Sequence, residues 1–218
     1  MHRRRLTALS VSAALLVAAP LLSACDSQAH PGAAAVVGGD RIEVSTVQGQ
    51  AAEVRSAQQA SDQSGQLVAK SGQLTRAKLH GLIFDLVLDR AAKDAGVSAS
   101  RQEIQNVRQS EAARNGGDKG LRTAMLSQRW VAPDQIDDDL RKAVLLPKLA
   151  QALGADLQTP EGQKTVTEAL TKASRALHID VNPRFGTWDD KQVQLSTYKA
   201  PWISQVTEFG EAGAETGA

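Results

Sequence analysis

Apolar residues surround almost the whole circumference of one predicted helix, at residues 74–95. A narrow polar stripe of Lys78, Asp85 and Asp89 interrupts them. A helix that is apolar nearly all round needs neighbours on several sides, so we expect it to be the central helix of the fold. Gly96 follows it as the residue that ends the helix. The apolar positions are Leu79, Leu82, Ile83, Phe84, Leu86, Val87, Leu88 and Ala91.

Two further helices are indicated by capping signals. Ser45 has Gln48 three positions further on, which is the spacing of a capping box that satisfies backbone N–H groups at a helix start. Ser100 and Glu103 repeat this pattern, and weak apolar periodicity follows them. We therefore predict helices at residues 46–60 and 101–114.

A short helix is predicted at residues 120–129, and another begins at Pro133, because proline is tolerated in the first turn. The three acids at positions 137–139 favour the positive end of that helix. We expect them to be solvated, with ion pairs to Arg141 and Lys142 one turn further along. A metal site at these acids is the alternative.

Short β-favouring segments lie at both ends of the helical region. One pair of segments flanks Gly38 and Gly39, and Ile179 and Val181 alternate as in a strand after a last helix that starts at Thr159. Each segment is too short to be stable alone, so we expect the two ends to pair. The predicted fold is mainly α, with a small two-stranded sheet that pairs the N- and C-terminal segments.

The N-terminal residues have the layout of an export signal. Three arginines precede an uncharged run rich in Ala, Leu and Val, which is typical of a signal peptide over residues 1–24. Leu22-Ser23-Ala24-Cys25 resembles the lipobox of bacterial lipoproteins. That resemblance implies cleavage after Ala24, a diacylglyceryl group on Cys25, and a lipid anchor on the outer face of the cytoplasmic membrane. An ordinary signal peptide with an unrelated cysteine is the alternative.

Composition predicts how the rest of the chain is organised and which classes of partner it does not bind. We expect a flexible tether at residues 25–35, one helical domain at residues 36–188 and a C-terminal extension at residues 189–218 that is disordered at its end. The whole chain has 25 Lys and Arg against 24 acids, and no basic stripe, so nucleic acid is not an expected partner. Its single cysteine, once lipidated, leaves no thiol for a disulfide.

The order and spacing of several short motifs resemble the N-terminal domain of the SurA and PrsA-type extracytoplasmic foldases. The resemblance covers about residues 36–188, and it implies a helical chaperone domain whose partners are unfolded or exported polypeptides. The motifs are Val36-Val37 to Ile42, Leu82-Ile83-Phe84, Gly96-Val97-Ser98, Leu140-Arg141 to Lys148-Leu149, and Asn182-Pro183-Arg184-Phe185-Gly186.

One departure from that family matters. The foldases usually have a parvulin prolyl-isomerase domain before the final helix, and such a domain needs on the order of a hundred residues. Here only residues 154–158 separate Leu153 from the helix start at Thr159. We therefore expect no isomerase domain at this point, and a chaperone role that rests on a binding surface alone.

Catalytic motifs are not found in the sequence. His2 and His30 fall in the signal and the tether, and His80 and His178 are far apart in the chain, so they lack the close ligand spacing that zinc prefers. Neither a nucleophile elbow nor a phosphate-binding loop is present. We expect no enzyme activity, no cofactor and no metal.

Large side chains are the candidates for client binding. Trp130, Trp188 and Trp202, joined by the flexible Met125, could line an apolar cleft, and the alternative for each tryptophan is a partly buried core or cap position. Two functions are consistent with the sequence. The first is a membrane-anchored, non-catalytic chaperone, or holdase, for unfolded or newly exported proteins outside the cytoplasm. The second is a structural or assembly lipoprotein that binds one specific folded partner.

Overall fold

The structure is a computed structural model that describes residues 32–61 and 73–196 of the chain. It is mainly helical, as predicted, and none of the described helices is long and apolar enough to cross a membrane. The helices are α1 (Val44–Gln59), α2 (Leu74–Asp94), α3 (Arg101–Arg114), α4 (Asp118–Arg129), α5 (Ile136–Ala152) and α6 (Pro160–Ala176). The strands are β1 (Ala33–Val37), β2 (Asp40–Glu43), β3 (Asp180–Val181), β4 (Thr187–Asp189) and β5 (Gln194–Ser196).

The N- and C-terminal segments pair in one sheet, as predicted, but that sheet has three strands in the order β2-β1-β3. Gly38 and Gly39 turn the chain between β1 and β2 with φ of 61° and 93°, which suits a two-residue hairpin turn. β3 adds to the other edge of β1, where Val181 lies opposite Ala35. The prediction of two strands was wrong because the N-terminal segment also folds back on itself.

Helix starts follow the predicted capping signals only where the preceding chain is free of the sheet. At α3, Glu103 N–H donates to Ser100 Oγ (3.2 Å) and Ser100 N–H donates to the Glu103 carboxylate (2.7 Å), which confirms the capping box. The cap predicted at Ser45 is wrong. Glu43 is the last residue of β2 and α1 begins at Val44, so Ser45 already lies inside the helix.

The second helix, α2, is the central one, as its sequence predicts. It contacts α1, α5, α6 and β1, and Gly96 follows its end with a φ of 69°. Burial of the apolar residues of α2 stabilises the fold, because transfer of apolar surface from water drives folding. The fully buried members of the main core cluster include Leu79, Ile83, Val87 and Leu88 on α2 and Leu145 and Leu149 on α5.

The boundaries of the domain differ from those expected. β1 begins at Ala33, inside the predicted tether of residues 25–35. At the other end, residues 189–196 complete an antiparallel hairpin of β4 and β5, with Val193 buried, instead of starting an extension. Strands of three residues carry too little alternation to be recognised in a sequence. Residues 189–196 thus belong to the folded part of the chain.

Candidate functional site

A cleft of about 500 Å³ opens beside α2, between this helix, the connection that follows α4, and the first turns of α5. It lies on the polar stripe of α2, where Lys78 and Asp85 replace the apolar residues of the other faces. Aromatic and apolar side chains complete the wall, among them Phe84, Leu82 and Trp130. The cleft therefore combines ring surface with paired charges.

A buried amide organises one side of the cleft. Gln135 is 9% exposed, and its Nε2 donates to Glu53 Oε2 (2.6 Å) and to the carbonyl oxygen of Gln50 (3.2 Å) on α1. These bonds turn the Gln135 Oε1 atom toward Lys78, whose ammonium donates to it at 2.6 Å. The position of the Lys78 ammonium is thus set by a chain of hydrogen bonds that starts on α1.

Ion pairs line another part of the cleft. Lys142 Nζ lies 2.9 Å from Asp85 Oδ1 and 3.6 Å from Asp139 Oδ1, and Arg129 Nη1 lies 2.8 Å from Asp139 Oδ2. Asp139 is only 9% exposed. The expectation of solvated acids at positions 137–139 was therefore wrong for Asp139, because the fold brings Arg129 of α4 to it, beside Lys142 of its own helix.

Burial shifts the pKa values of the groups in the cleft. It lowers the pKa of Lys78 to about 8, from a usual value of 10.5. Burial also raises the pKa of Asp85, against the opposing effect of Lys142. It lowers the pKa of His80, against a hydrogen bond to the Val193 backbone. The charged side chains of the cleft are thus partly withdrawn from water, which strengthens electrostatic contacts with anything that binds there.

Trp130 is the strained residue of the site. It ends α4 with a φ of 54° in the left-handed region, which costs a non-glycine residue roughly 1–2 kcal/mol. Its side chain is half-buried against a small cluster that includes Leu74 and Leu126. It also lines both the main cleft and an adjoining cavity of about 370 Å³ that includes Leu195. Strained residues that persist in a fold are often found at binding sites.

The structure separates the residues predicted for client binding. Trp130 lines the cleft. Met125 is 5% exposed and packs in another cluster with Leu121 and Ile136. Trp188 is half-buried outside the main cleft, where its Nε1 donates to Ser174 Oγ at 2.7 Å. Trp202, together with the predicted cleavage site at Ala24 and lipidation site at Cys25, lies outside the described residues.

Lys78, Gln135 and Lys142 are cleft residues that the sequence did not single out for binding. One signal for Lys78 was available, because it belongs to the narrow polar stripe on an otherwise apolar helix. A polar residue on a central helix must find buried partners or face a cleft. Gln135 and Lys142 had no such signal, since their roles depend on contacts with helices distant in sequence.

Family comparison agrees with this architecture. The model of the SurA-like N-terminal domain matches residues 3–150, more than half of the 218-residue chain. The chain belongs to the SurA-like N-terminal domain family. This family is of chaperone type and its domain is non-catalytic. No curated protein and no solved structure matches the chain.

The cleft of this SurA-like domain presents groups that can bind a ligand. Within residues 32–61 and 73–196, no three His, Cys, Asp or Glu side chains are grouped so as to hold a metal ion. The carboxylates Asp85 and Asp139 of the cleft are engaged by cations. An open volume with a large ring on one side and fixed charges on the other suits a peptide segment.

Proposed function

We propose that this protein is a membrane-anchored, non-catalytic holdase that binds unfolded or newly exported polypeptides outside the cytoplasm. The observation that carries the proposal is the cleft beside α2, with Trp130 in its wall, in a chain of the SurA-like family. Its volume of about 500 Å³ lies within the range of ligand pockets. A few side chains of an extended chain would fill it, which suits transient binding of many clients.

The anchor is the second part of the proposal. A diacylglyceryl group on Cys25, after cleavage at Ala24, would hold the domain at the membrane surface, because two acyl chains bind a bilayer stably where one does not. The first described strand begins at Ala33, so residues 25–32 would connect lipid and domain. Replacement of Cys25 by Ser should move the protein from the membrane fraction to the soluble fraction.

Aggregation suppression tests the holdase activity. The full-length chain, purified in detergent, should prevent an unfolded client from aggregating at a near-stoichiometric ratio. Trp130→Asn should abolish most of this protection, because asparagine tolerates the left-handed backbone but has no ring. Ala77→Arg should have the same effect by obstructing the shared mouth of the two cavities, which Ala77 lines from an exposed position.

Leu153 supplies the matched control, because it is an apolar side chain 37% exposed and outside the cleft. Leu153→Asn should protect the client as well as the wild type does. If Trp130→Asn and Ala77→Arg protect the client as well as the wild type does, with thermal unfolding unchanged, client binding lies outside the cleft.

Crosslinking in cells addresses the assembly alternative, since a single dominant folded partner would contradict the holdase proposal.

A further inference from the structure

Lys78 differs from the other cations of the cleft in its partners. Arg129 and Lys142 both contact Asp139, and Arg141 contacts Asp89. Among residues 32–61 and 73–196, no carboxylate lies within 4.0 Å of the Lys78 ammonium, whose hydrogen-bond partner is the neutral amide of Gln135. An ammonium has three N–H donors, so Lys78 has donors to offer to a ligand.

The charges around Lys78 are compatible with an acidic ligand. Asp139, Lys142, Glu53 and Asp85 face it from α1, α2 and α5. Each of the three carboxylates already has a partner: Lys142 contacts Asp85 and Asp139, and Gln135 donates to Glu53. The cleft wall has the four cations Lys78, Arg129, Arg141 and Lys142 against the three acids Asp85, Asp138 and Asp139, and Glu53, which is bonded to Gln135, makes the two numbers equal.

From this geometry we propose that the cleft selects polypeptide segments in which an Asp or Glu side chain is followed closely by a large apolar side chain. The carboxylate accepts hydrogen bonds from Lys78, and the apolar side chain packs on the Trp130 ring in the same cleft. The inference rests on the proposed holdase function and names the class of segment that the site prefers. A partly buried cation that gains a carboxylate recovers the solvation it lost on folding.

Peptide binding to the full-length chain in detergent tests this preference. Two fluorescent peptides, each acetylated and amidated so that no terminal carboxylate remains, differ only by Glu or Gln two residues before a Trp. The wild type should bind the Glu peptide about tenfold more tightly, which is the size expected for one charge-assisted hydrogen bond. High salt should reduce the difference.

Variants of Lys78 distinguish charge from packing. Lys78→Met keeps the apolar stem, so it should bind both peptides with the affinity that the wild type has for the Gln peptide. Lys78→Arg should keep the preference. The control Lys164→Met removes an exposed lysine outside the cleft and should change nothing. Wild-type preference for Glu should weaken as the pH rises above 8, the approximate pKa of Lys78, whereas in Lys78→Arg it should persist.

The outcomes separate this inference from the function on which it rests. Equal binding of the two peptides by the wild type would overturn the acidic preference and leave the holdase proposal standing. A preference that survives in Lys78→Met would overturn the role of Lys78. Binding of neither peptide, together with a failure to suppress aggregation, would overturn both proposals.

Discussion

The helices α2 and α3 follow one another in the chain but are held in the fold by different interactions. α2 has seven buried residues, including Leu79, Ile83 and Val87, and it packs against helices on several sides. α3 has no buried residue. It lies against α4 and α5 with only partly buried apolar residues, such as Ile104 and Val107, at its inner face.

Ion pairs connect α3 to its neighbours. Arg108 lies 2.6 Å from Asp137 and 3.1 Å from Asp118, and Lys148 lies 2.7 Å from Glu103. Pairs this exposed contribute little each, typically about 0.2–1 kcal/mol. We therefore expect α3 to open locally at much lower cost than α2. The cleft is built on α2, so we expect Lys78 to keep its position when α3 opens.

The largest expected effect tests the α2 side of this comparison. Ile83 is fully buried at the centre of the helix, and Ile83→Ala should lower the free energy of unfolding by about 2–5 kcal/mol through lost burial and the cavity left behind. Urea denaturation measures it, with Leu153→Ala as the exposed control. A loss no greater than that of the control would mean that α2 is not the centre of stability.

Loss of the capping box should destabilise α3 more than any other single substitution considered for this helix. Ser100→Ala removes the side chain that accepts the Glu103 N–H, and such a loss costs about 1 kcal/mol. Amide hydrogen exchange should accelerate in α3 and stay unchanged in the centre of α2. Equal acceleration in both helices would show that they open as one unit.

A smaller effect is expected from Arg108, which bridges α4 and α5 from α3. Arg108→Gln should destabilise the protein by less than about 1 kcal/mol, since solvent screens the pairs. The difference from the wild type should shrink in 1 M salt, where the Debye length is about 3 Å. A loss that does not depend on salt would assign the role of Arg108 to packing of its stem.

The smallest effect concerns pH. The hydrogen bond from Lys148, with those from Ser100, lowers the pKa of Glu103 from 4.5 to about 2. The folded state therefore holds this carboxylate ionised, so its contribution is complete above pH 4.5 and is lost as the pH falls toward 2. After correction for the intrinsic pH dependence of amide exchange, the protection of α3 should fall over that interval. Glu103→Gln should remove this part of the pH dependence, and an unchanged profile would assign it to other acids.

Much of the helical architecture could be predicted from the sequence, because its signals are local. The capping box at Ser100, the glycine after α2 and the all-round apolarity of α2 each depend on residues within a few turns, and the structure confirms them. The start of α1 could not be predicted in this way. Pairing of β2 with β1 extends the chain up to Glu43, so the helix begins before the cap that Ser45 suggests.

The cleft was predictable only in part. Trp130 stood out as a large ring, and it does line the cleft. Met125, also a candidate by residue type, is buried on the inner face of α4 against Leu121 and Ile136 instead. Residue type reports what a side chain can do, whereas the side of the helix that faces a neighbour decides whether it can be reached.

The sequence by itself determined the class of fold, the family and most helix limits, because apolar periodicity and capping act over a few residues. Tertiary structure alone decided which charged side chains pair. The expected pairs of Asp137 with Arg141 and of Asp138 with Lys142 give way to Arg108 with Asp137 and Asp85 with Lys142. A pair within one helix contributes only about 0.2–0.5 kcal/mol, so the packing of apolar faces settles which charges meet.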